Sequence, residues 1–552
     1  MAEQILPGVS IEVRPEGLII PGRISIGTIG IIGTASRGAV DTPISVGNLA
    51  DAFAVFGEYD NFTNNQPNEL TLTRALEQAF SNAAQNVIAI RVASGTVASA
   101  DLLLSSASGD CVTLSADSAG TWGNDISVNV SAADDNSFIS NETHIGPAPI
   151  TLTHPVVVES ARNRISVFRD ATQQTNLLVV TYDGGDPLVV GQVEINRASG
   201  VLTFFAGEEP AAADVVTASY VVSAASSVKV TLKRDGAEES YNVASGNDLV
   251  ADINANSSFA VATVATNSAE LPSEFASAEE FQVFTGGDNG TIGANYVAGL
   301  DLLNNEPAHV IIAAGQTIST IGTALTGHCN AASSDLNKRE RIGVVGSDAG
   351  ASVDDVAGHQ LNSDRIIYVA PGIQATDRTN SGPVTLSGGY AAAAVAGLIS
   401  SFSSHISLTN KQLTVNGLEQ IYTSSQLIQL LQNRVLALEN KFGFRVVKGI
   451  TSSTNTAWHQ ITTRRTVDFA KFGVRSAANS YIGLLNNDRV RSAMRSTINS
   501  FLTEMVDAEQ LISYELEVSA TRDEEIKGIA RVTLVLRPTF SIDFIKVTMF
   551  LE

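Results

Sequence analysis

Apolar strand-like runs alternate with helical patterns in two separated stretches of this 552-residue chain, and that rhythm limits the fold more than any other feature. The first stretch has a strand run at Ile24 to Ile32, a helical pattern at Leu72 to Ala84 and a second strand run at Asn86 to Val92. The second has a helix around Ile292–Leu303 leading to His309–Ala314, a helix near Ile321–Asn337 leading to Arg341–Gly346, and then Arg365–Ala370. Helices alternating with continuous apolar strands specify an open α/β sheet. Between the two stretches the texture changes. Residues 96–280 are rich in Ser, Thr, Asn, Asp and Gly, with short runs such as Leu188 to Ile195, and turn residues that bound them. That is a β-rich pattern. The expected organisation is an α/β core domain, residues 23–95 and 281–405, carrying an inserted β-rich domain at 96–280.

The remainder, residues 406–552, reads as a separate α+β domain. Leu427, Leu431, Val435, Leu438 and Phe442 fit one face of a helix capped by Ser424 or Ser425 and ended by Gly443. A strand at Arg445–Ile450, helices at Thr463–Asn479 and Asp488–Val506, and strands at Ser513–Val518 and Gly528–Leu536 follow. The last segment, 539–552, alternates apolar and polar residues through Phe540, Ile542 and Phe544. It then slips by one and continues through Ile545, Val547, Met549 and Leu551. Period-2 alternation marks a half-buried strand, and a one-residue slip is the signature of a β-bulge. Near the other end, Val9, Ile11 and Val13 alternate within an extended arm, residues 1–22, that is closed by Pro15, Gly17, Pro21 and Gly22. Strands at both ends are placed to pair with other subunits. The expected fold class is therefore α+β multidomain: an open α/β core, a β-rich insert, and an α+β C-terminal assembly domain ending in exchanged β-strands.

Charge is unevenly distributed. The chain has 34 Lys and Arg against 57 Asp and Glu, net −23, which opposes a large nucleic-acid footprint. Residues 96–280 hold 24 acids and 7 bases. Residues 461–500 reverse the sign, with Arg464, Arg465, Lys471, Arg475, Arg489, Arg491 and Arg495 against Asp468 and Asp488. This basic segment is either a solvated face or a contact surface for an acidic partner, and Arg464 or Arg465, near a helix start, is the best suited to brace the fold. Cys111 and Cys329 are too far apart in sequence to suggest a disulfide framework, in keeping with a reducing cytoplasm. No signal peptide is read at the start, and the longest apolar helical run, Tyr390 to Ser400, is too short to span a bilayer.

Catalytic and cofactor patterns are missing. Gly27, Gly30 and Gly33 do not make G-x-G-x-x-G, no P-loop occurs, and the seven histidines form no metal-ligand spacing. Ser387 to Gly397 resembles the nucleophile helix of subtilisin-like proteases, but the nucleophile position falls on Gly389 and no motif supplies the base. No catalytic residue, cofactor or metal is expected.

Several blocks resemble the contractile tail sheath proteins of phages and phage-derived injection systems. They are Pro7 to Val13; Ala119-Gly120-Thr121-Trp122-Gly123-Asn124-Asp125; Phe284-Thr285-Gly286-Gly287-Asp288-Asn289-Gly290; Asn416-Gly417-Leu418; and Thr463-Arg464-Arg465-Thr466. They follow the family order across most of the chain. The resemblance implies a homo-oligomer of stacked rings forming a helical tube around an inner tail tube protein, in contact with baseplate and terminator proteins. Such a sheath contracts to drive the tube through an envelope. It has no nucleic-acid partner and does not itself insert into a membrane. It would be assembled in the cytoplasm and be part of a virion tail or injection particle when mature. It also implies that the terminal strands (Val9, Ile11, Val13, Phe540, Ile542, Phe544, Val547, Met549, Leu551) join subunits, that the insert faces outward, and that the basic segment faces the tube. The alternatives kept open are a secreted or surface-layer adhesin and, more remotely, a degenerate hydrolase.

Overall fold

A computed structural model of the chain describes residues 27–551 apart from 60–61, 63–68, 185–186, 278, 291–294 and 378–381. The N-terminal arm with Val9, Ile11 and Val13 lies outside the described residues. The chain divides into two compact units, Met1–Ser94 with Thr291–Glu552, and Gly95–Gly290.

Among its described residues the first unit is built on an eight-stranded sheet. In order across it lie Pro43–Val46, Val87–Arg91, Ile29–Gly33, Val310–Ala313, Ile342–Gly346, Ile366–Ala370, Leu436–Asn440 and Phe444–Val446. The six inner strands run parallel and each edge strand is antiparallel. Ile29–Gly33, Val87–Arg91, Ile342–Gly346 and Ile366–Ala370 are buried at every residue. Both sheet faces are covered, and a doubly covered strand needs a continuous apolar run rather than alternation. Ile29 and Ile31 point to one layer, with Leu72, Leu76 and Tyr390, while Ile32 points to the other, with Leu300, Leu325 and Leu430. The Gly388–Ser401 helix is buried from Gly388 through Ile399. Its small residues permit close approach: a Cβ at Gly397 would sit 2.3 Å from the Ala79 carbonyl oxygen.

Two expectations fail here for physical reasons. The helix expected through Phe442 is Ser424–Gln432; the chain turns at Arg434, φ 65°, and Leu436–Asn440 joins the sheet beside Ile366–Ala370. Val435 to Leu438 are all buried, whereas Phe442 is 92% exposed. A short apolar run fits helix and strand periods equally well, and the open sheet edge decides the outcome. The core sheet thus extends past the expected boundary at 405. The boundary expected at 280 also moves, because Gln282–Val283 pairs with Ser127–Ala132 in the second unit, which ends at Gly290.

Among its described residues the second unit has two cores. One lies among a three-stranded sheet, a four-stranded sheet and the helix Gly246–Asn256, which the β-rich expectation missed. The other belongs to a larger sheet that includes Ser137–Ile145, Arg164–Arg169 and Val215–Val222. Two of the motif blocks, residues 119–125 and 284–290, meet inside this unit, the second of them at its end. Asn124 donates to the Gly287 carbonyl at 3.1 Å and accepts from its N–H at 2.9 Å; Asn289 accepts from the Thr121 N–H at 3.0 Å. Trp122 is buried and donates to the Ser118 carbonyl. The motifs are therefore a clasp that ties the unit's last residues to the turn at 121–125. Asn124→Ala removes both bonds and leaves Gly287 unpaired, so we expect local protection of residues 98–125 and 284–289 to fall by about 1–3 kcal/mol in hydrogen exchange. Unchanged exchange there would show that the clasp is dispensable.

Candidate functional site

The C-terminal layer is formed by helices Ile461–Asn479 and Asp488–Asp507 and a hairpin, Leu511–Ser519 with Arg531–Pro538. Asn487 caps the second helix by accepting from the Val490 N–H at 3.0 Å, and Asp488 follows in the first turn, where the helix dipole favours an anion. The helices meet at Gly473, where a Cβ would lie 1.9 Å from the Phe501 ring. The hairpin lays Tyr514, Leu516, Val518, Val532, Leu534 and Leu536 on this core, and Glu515, Glu517 and Arg537 face outward. Among the described residues no further strand pairs with either outer edge of the hairpin.

Among the described residues the segment after Pro538 forms no strand. Phe540, Ile542, Phe544, Ile545, Val547, Met549 and Leu551 are exposed, from 60% at Phe540 to 99% at Leu551. A strand needs a partner ladder, and the described residues supply none. The root of this arm is held, however. Asp543 pairs with Lys448 at 3.3 Å, and the Lys448 ammonium lies 5.4 Å from the centre of the Phe544 ring.

The basic segment does not form one surface. Arg464 is buried: it bonds Asp364 at 2.8 Å and Asp468 at 2.6 Å, and its guanidinium lies 4.3 Å from the centre of the Trp458 ring. Asp468 also takes a two-pronged pair from Arg365, at 2.9 and 3.1 Å. Arg465 is buried, and burial pushes its guanidinium down to about 10. It donates to the carbonyls of Phe402 and Ser403, where the Gly388–Ser401 helix ends and its dipole is negative. Lys471 and Arg475 both pair with Glu340. Burial alone would raise the Glu340 carboxyl, but hydrogen bonds from Arg475 and Lys471 outweigh it and hold the group below its ordinary range. Arg491 is buried against Asp488 and Glu525.

Arg464, Arg465 and Arg491 are thus internal braces and leave the expected tube-facing set. Lys471 and Arg475 are engaged with Glu340. Arg489 and Arg495 are exposed. The acid partners were not foreseen, although Asp468 stands four residues after Arg464, a spacing that places the two on one helix face. The protease-like helix has no room for a nucleophile: a Cβ at Gly389 would lie 2.5 Å from the Gln316 carbonyl oxygen. Among the described residues no His, Cys, Asp or Glu group is arranged to hold a metal ion, and no helix is long and apolar enough to cross a membrane.

Comparison with known proteins agrees with this architecture. Residues 289–452 match the phage tail sheath protein central domain, and residues 453–552 match the phage tail sheath C-terminal domain. The tail sheath protein of Staphylococcus phage Twort is 29% identical over 188 residues, 31% of this chain and 30% of that protein, so the chain aligns with about a third of this curated relative. Crystal structures of sheath tail proteins from Desulfitobacterium hafniense and Listeria innocua share the fold. Their TM-scores are 0.57 and 0.56 at 14% and 13% identity. The matches cover 96% and 95% of this chain and 100% and 97% of theirs. The sheath complex of an extracellular contractile injection system, PVC, in its contracted state, has a TM-score of 0.50 at 10% identity, over 100% of this chain and 99% of that one. From residue 289 to residue 552 the chain carries, in order, the central and C-terminal domains of phage tail sheath proteins, and it shares the fold of sheath tail proteins along almost its whole length.

Proposed function

We propose that the chain is the structural subunit of a contractile sheath that polymerises as a helical tube around an inner tail tube and shortens to drive that tube through an envelope. The observation that carries this is the pairing, on one chain, of a hairpin with open outer edges and an exposed apolar arm without a strand partner among the described residues. Exposed strand edges recruit strands from other chains. A head-to-tail contact that does not close on itself generates an open helical assembly. The N-terminal segment, in which Val9, Ile11 and Val13 alternate with polar residues in the sequence, is given the same joining role. Contraction is a passage from a strained extended lattice to a compact one, with each subunit moving as a rigid body and the exchanged strands acting as hinges. The acidic second unit faces outward, and baseplate and terminator proteins bound the tube at its ends. Assembly takes place in the cytoplasm. The role is structural rather than catalytic.

Contact with the inner tube falls to Arg489 and Arg495, the exposed members of the basic segment. Individually weak, salt-screened contacts suit a surface that must template assembly and still release. The test is co-assembly with the tube protein followed by negative-stain microscopy. The parent should give striated tubes. Arg489→Glu with Arg495→Glu should stay folded by circular dichroism and lose co-assembly. Parental co-assembly by the double variant, with no salt dependence, would move the tube-facing surface elsewhere.

A further inference from the structure

We infer that the cavity between the N-terminal ends of the strands Val310–Ala313 and Ile342–Gly346 and the helix Ile461–Asn479 binds a small organic carboxylate with an apolar body. The cavity has a volume of about 330 Å³, and small-molecule sites run from about 300 to 1,000 Å³. Ala308, Val310, Ile342, Phe469 and Phe472 supply its apolar wall. The lining comes from two places, the core sheet and the C-terminal layer, so an occupant fastens one to the other.

Charge selects the head group. Arg341 and Arg465 line the cavity and are 1% and 6% exposed. Both donate to neutral acceptors: Arg341 to the carbonyls of Leu303 and Glu306 and the His328 ring, Arg465 to the carbonyls of Phe402 and Ser403. The Arg341 Nε finds no acceptor, and neither bond of Arg465 uses its Nε. Burial pushes each guanidinium down to about 10. His309 stands beside them. Its Nδ1 has no partner, and burial, then the charges of Arg341 and Arg465, push the ring down to about 4. The acids nearby are already engaged: Glu340 with Lys471 and Arg475, Asp468 with Arg365 and Arg464. Glu306 lines the cavity with Lys338 and Arg339, which are exposed. Two buried positive charges are thus left without a counter-ion among the described residues. Buried charges are normally paired, and a guanidinium makes strong charge-assisted bonds to a carboxylate. A single negative charge suits the cavity better than a phosphate, because Glu340 and Asp468 also line it and repel a dianion more strongly.

The test is isothermal titration calorimetry on the full chain with three probes: sodium octanoate, 1-octanol, and a tetraglutamate peptide blocked at both ends. Octanoate should saturate at one site per chain and bind about tenfold or more tighter than octanol, which lacks the charge. Hydrogen exchange should slow at 306–310, 339–342 and 465–472 when octanoate binds. Phe472 is 45% exposed, so Phe472→Glu should stay folded by circular dichroism. It puts a like charge on the wall and should weaken octanoate about tenfold or more. Equal binding of octanol and octanoate overturns the inference and reduces the cavity to an apolar void. Absence of saturable binding overturns it, as does protection confined to other segments. Binding of the peptide without octanoate also overturns it and assigns the cavity to an acidic partner chain. Unchanged octanoate affinity in Phe472→Glu places the carboxylate elsewhere.

Discussion

Deletion of residues 540–552 should leave a folded subunit that no longer forms tubes. The side chains removed are almost all exposed, so the subunit's cores stay intact. The deletion also breaks the ion pair between Asp543 and Lys448, which is partly exposed and of the kind that contributes about 0–1 kcal/mol. The effect on assembly is far larger. An exchanged strand making about four backbone hydrogen bonds supplies roughly 2–6 kcal/mol net, which is roughly 30-fold to more than 10,000-fold in critical concentration. Apolar burial adds to this at about 25 cal/mol per Å². The measurement is sedimentation and negative stain across a concentration series, with circular dichroism to confirm the fold. Tubes of normal length at the parental concentration would mean that the arm does not join subunits.

Asp468→Ala should cause a large stability loss at a position distant in sequence from Arg365. The carboxylate holds Arg365 and Arg464, both buried, and Arg365 approaches it with two parallel bonds. Such paired geometry is strong and specific. Removing the anion leaves two guanidinium groups facing each other in a desolvated space, a change that costs about 3–5 kcal/mol. Asp364 still balances Arg464 in part, so the lower end of that range is expected. A chain of two compact units need not unfold in one step, so the loss is best read locally. Hydrogen exchange in the Ile461–Asn479 helix should accelerate while the second unit is unchanged. A loss below about 1 kcal/mol would show that the arginines find other partners.

The parts of the fold set by local pattern were legible. Ile342–Gly346 and Ile366–Ala370 are uninterrupted apolar runs, and a strand buried on both faces uses such runs. The helices Ile461–Asn479 and Asp488–Asp507 lie within two residues of the bounds that periodicity predicts. Alternation in the C-terminal arm was also legible, and it forms no strand because no strand among the described residues pairs with it. Leu436–Asn440 was misread because its apolar residues fit a helix face as well as a strand, and the choice belongs to a neighbouring strand far away in sequence.

The basic segment marks the division most clearly. By itself the sequence determined the open α/β rhythm, the inserted β-rich stretch and an apolar arm, because hydrophobic periodicity is a local property of the chain. It also determined that positive charge clusters between 461 and 500. Only the tertiary structure decided what those charges do. Arg464 meets Asp364, Arg465 meets the carbonyls of Phe402 and Ser403, and Lys471 and Arg475 meet Glu340, across separations of 62 to 135 residues. A charge run specifies sign but not partner. Whether an arginine becomes a buried brace or an exposed contact is fixed by which distant acid or carbonyl the fold carries to it, since a buried cation must be paired while an exposed one need not be.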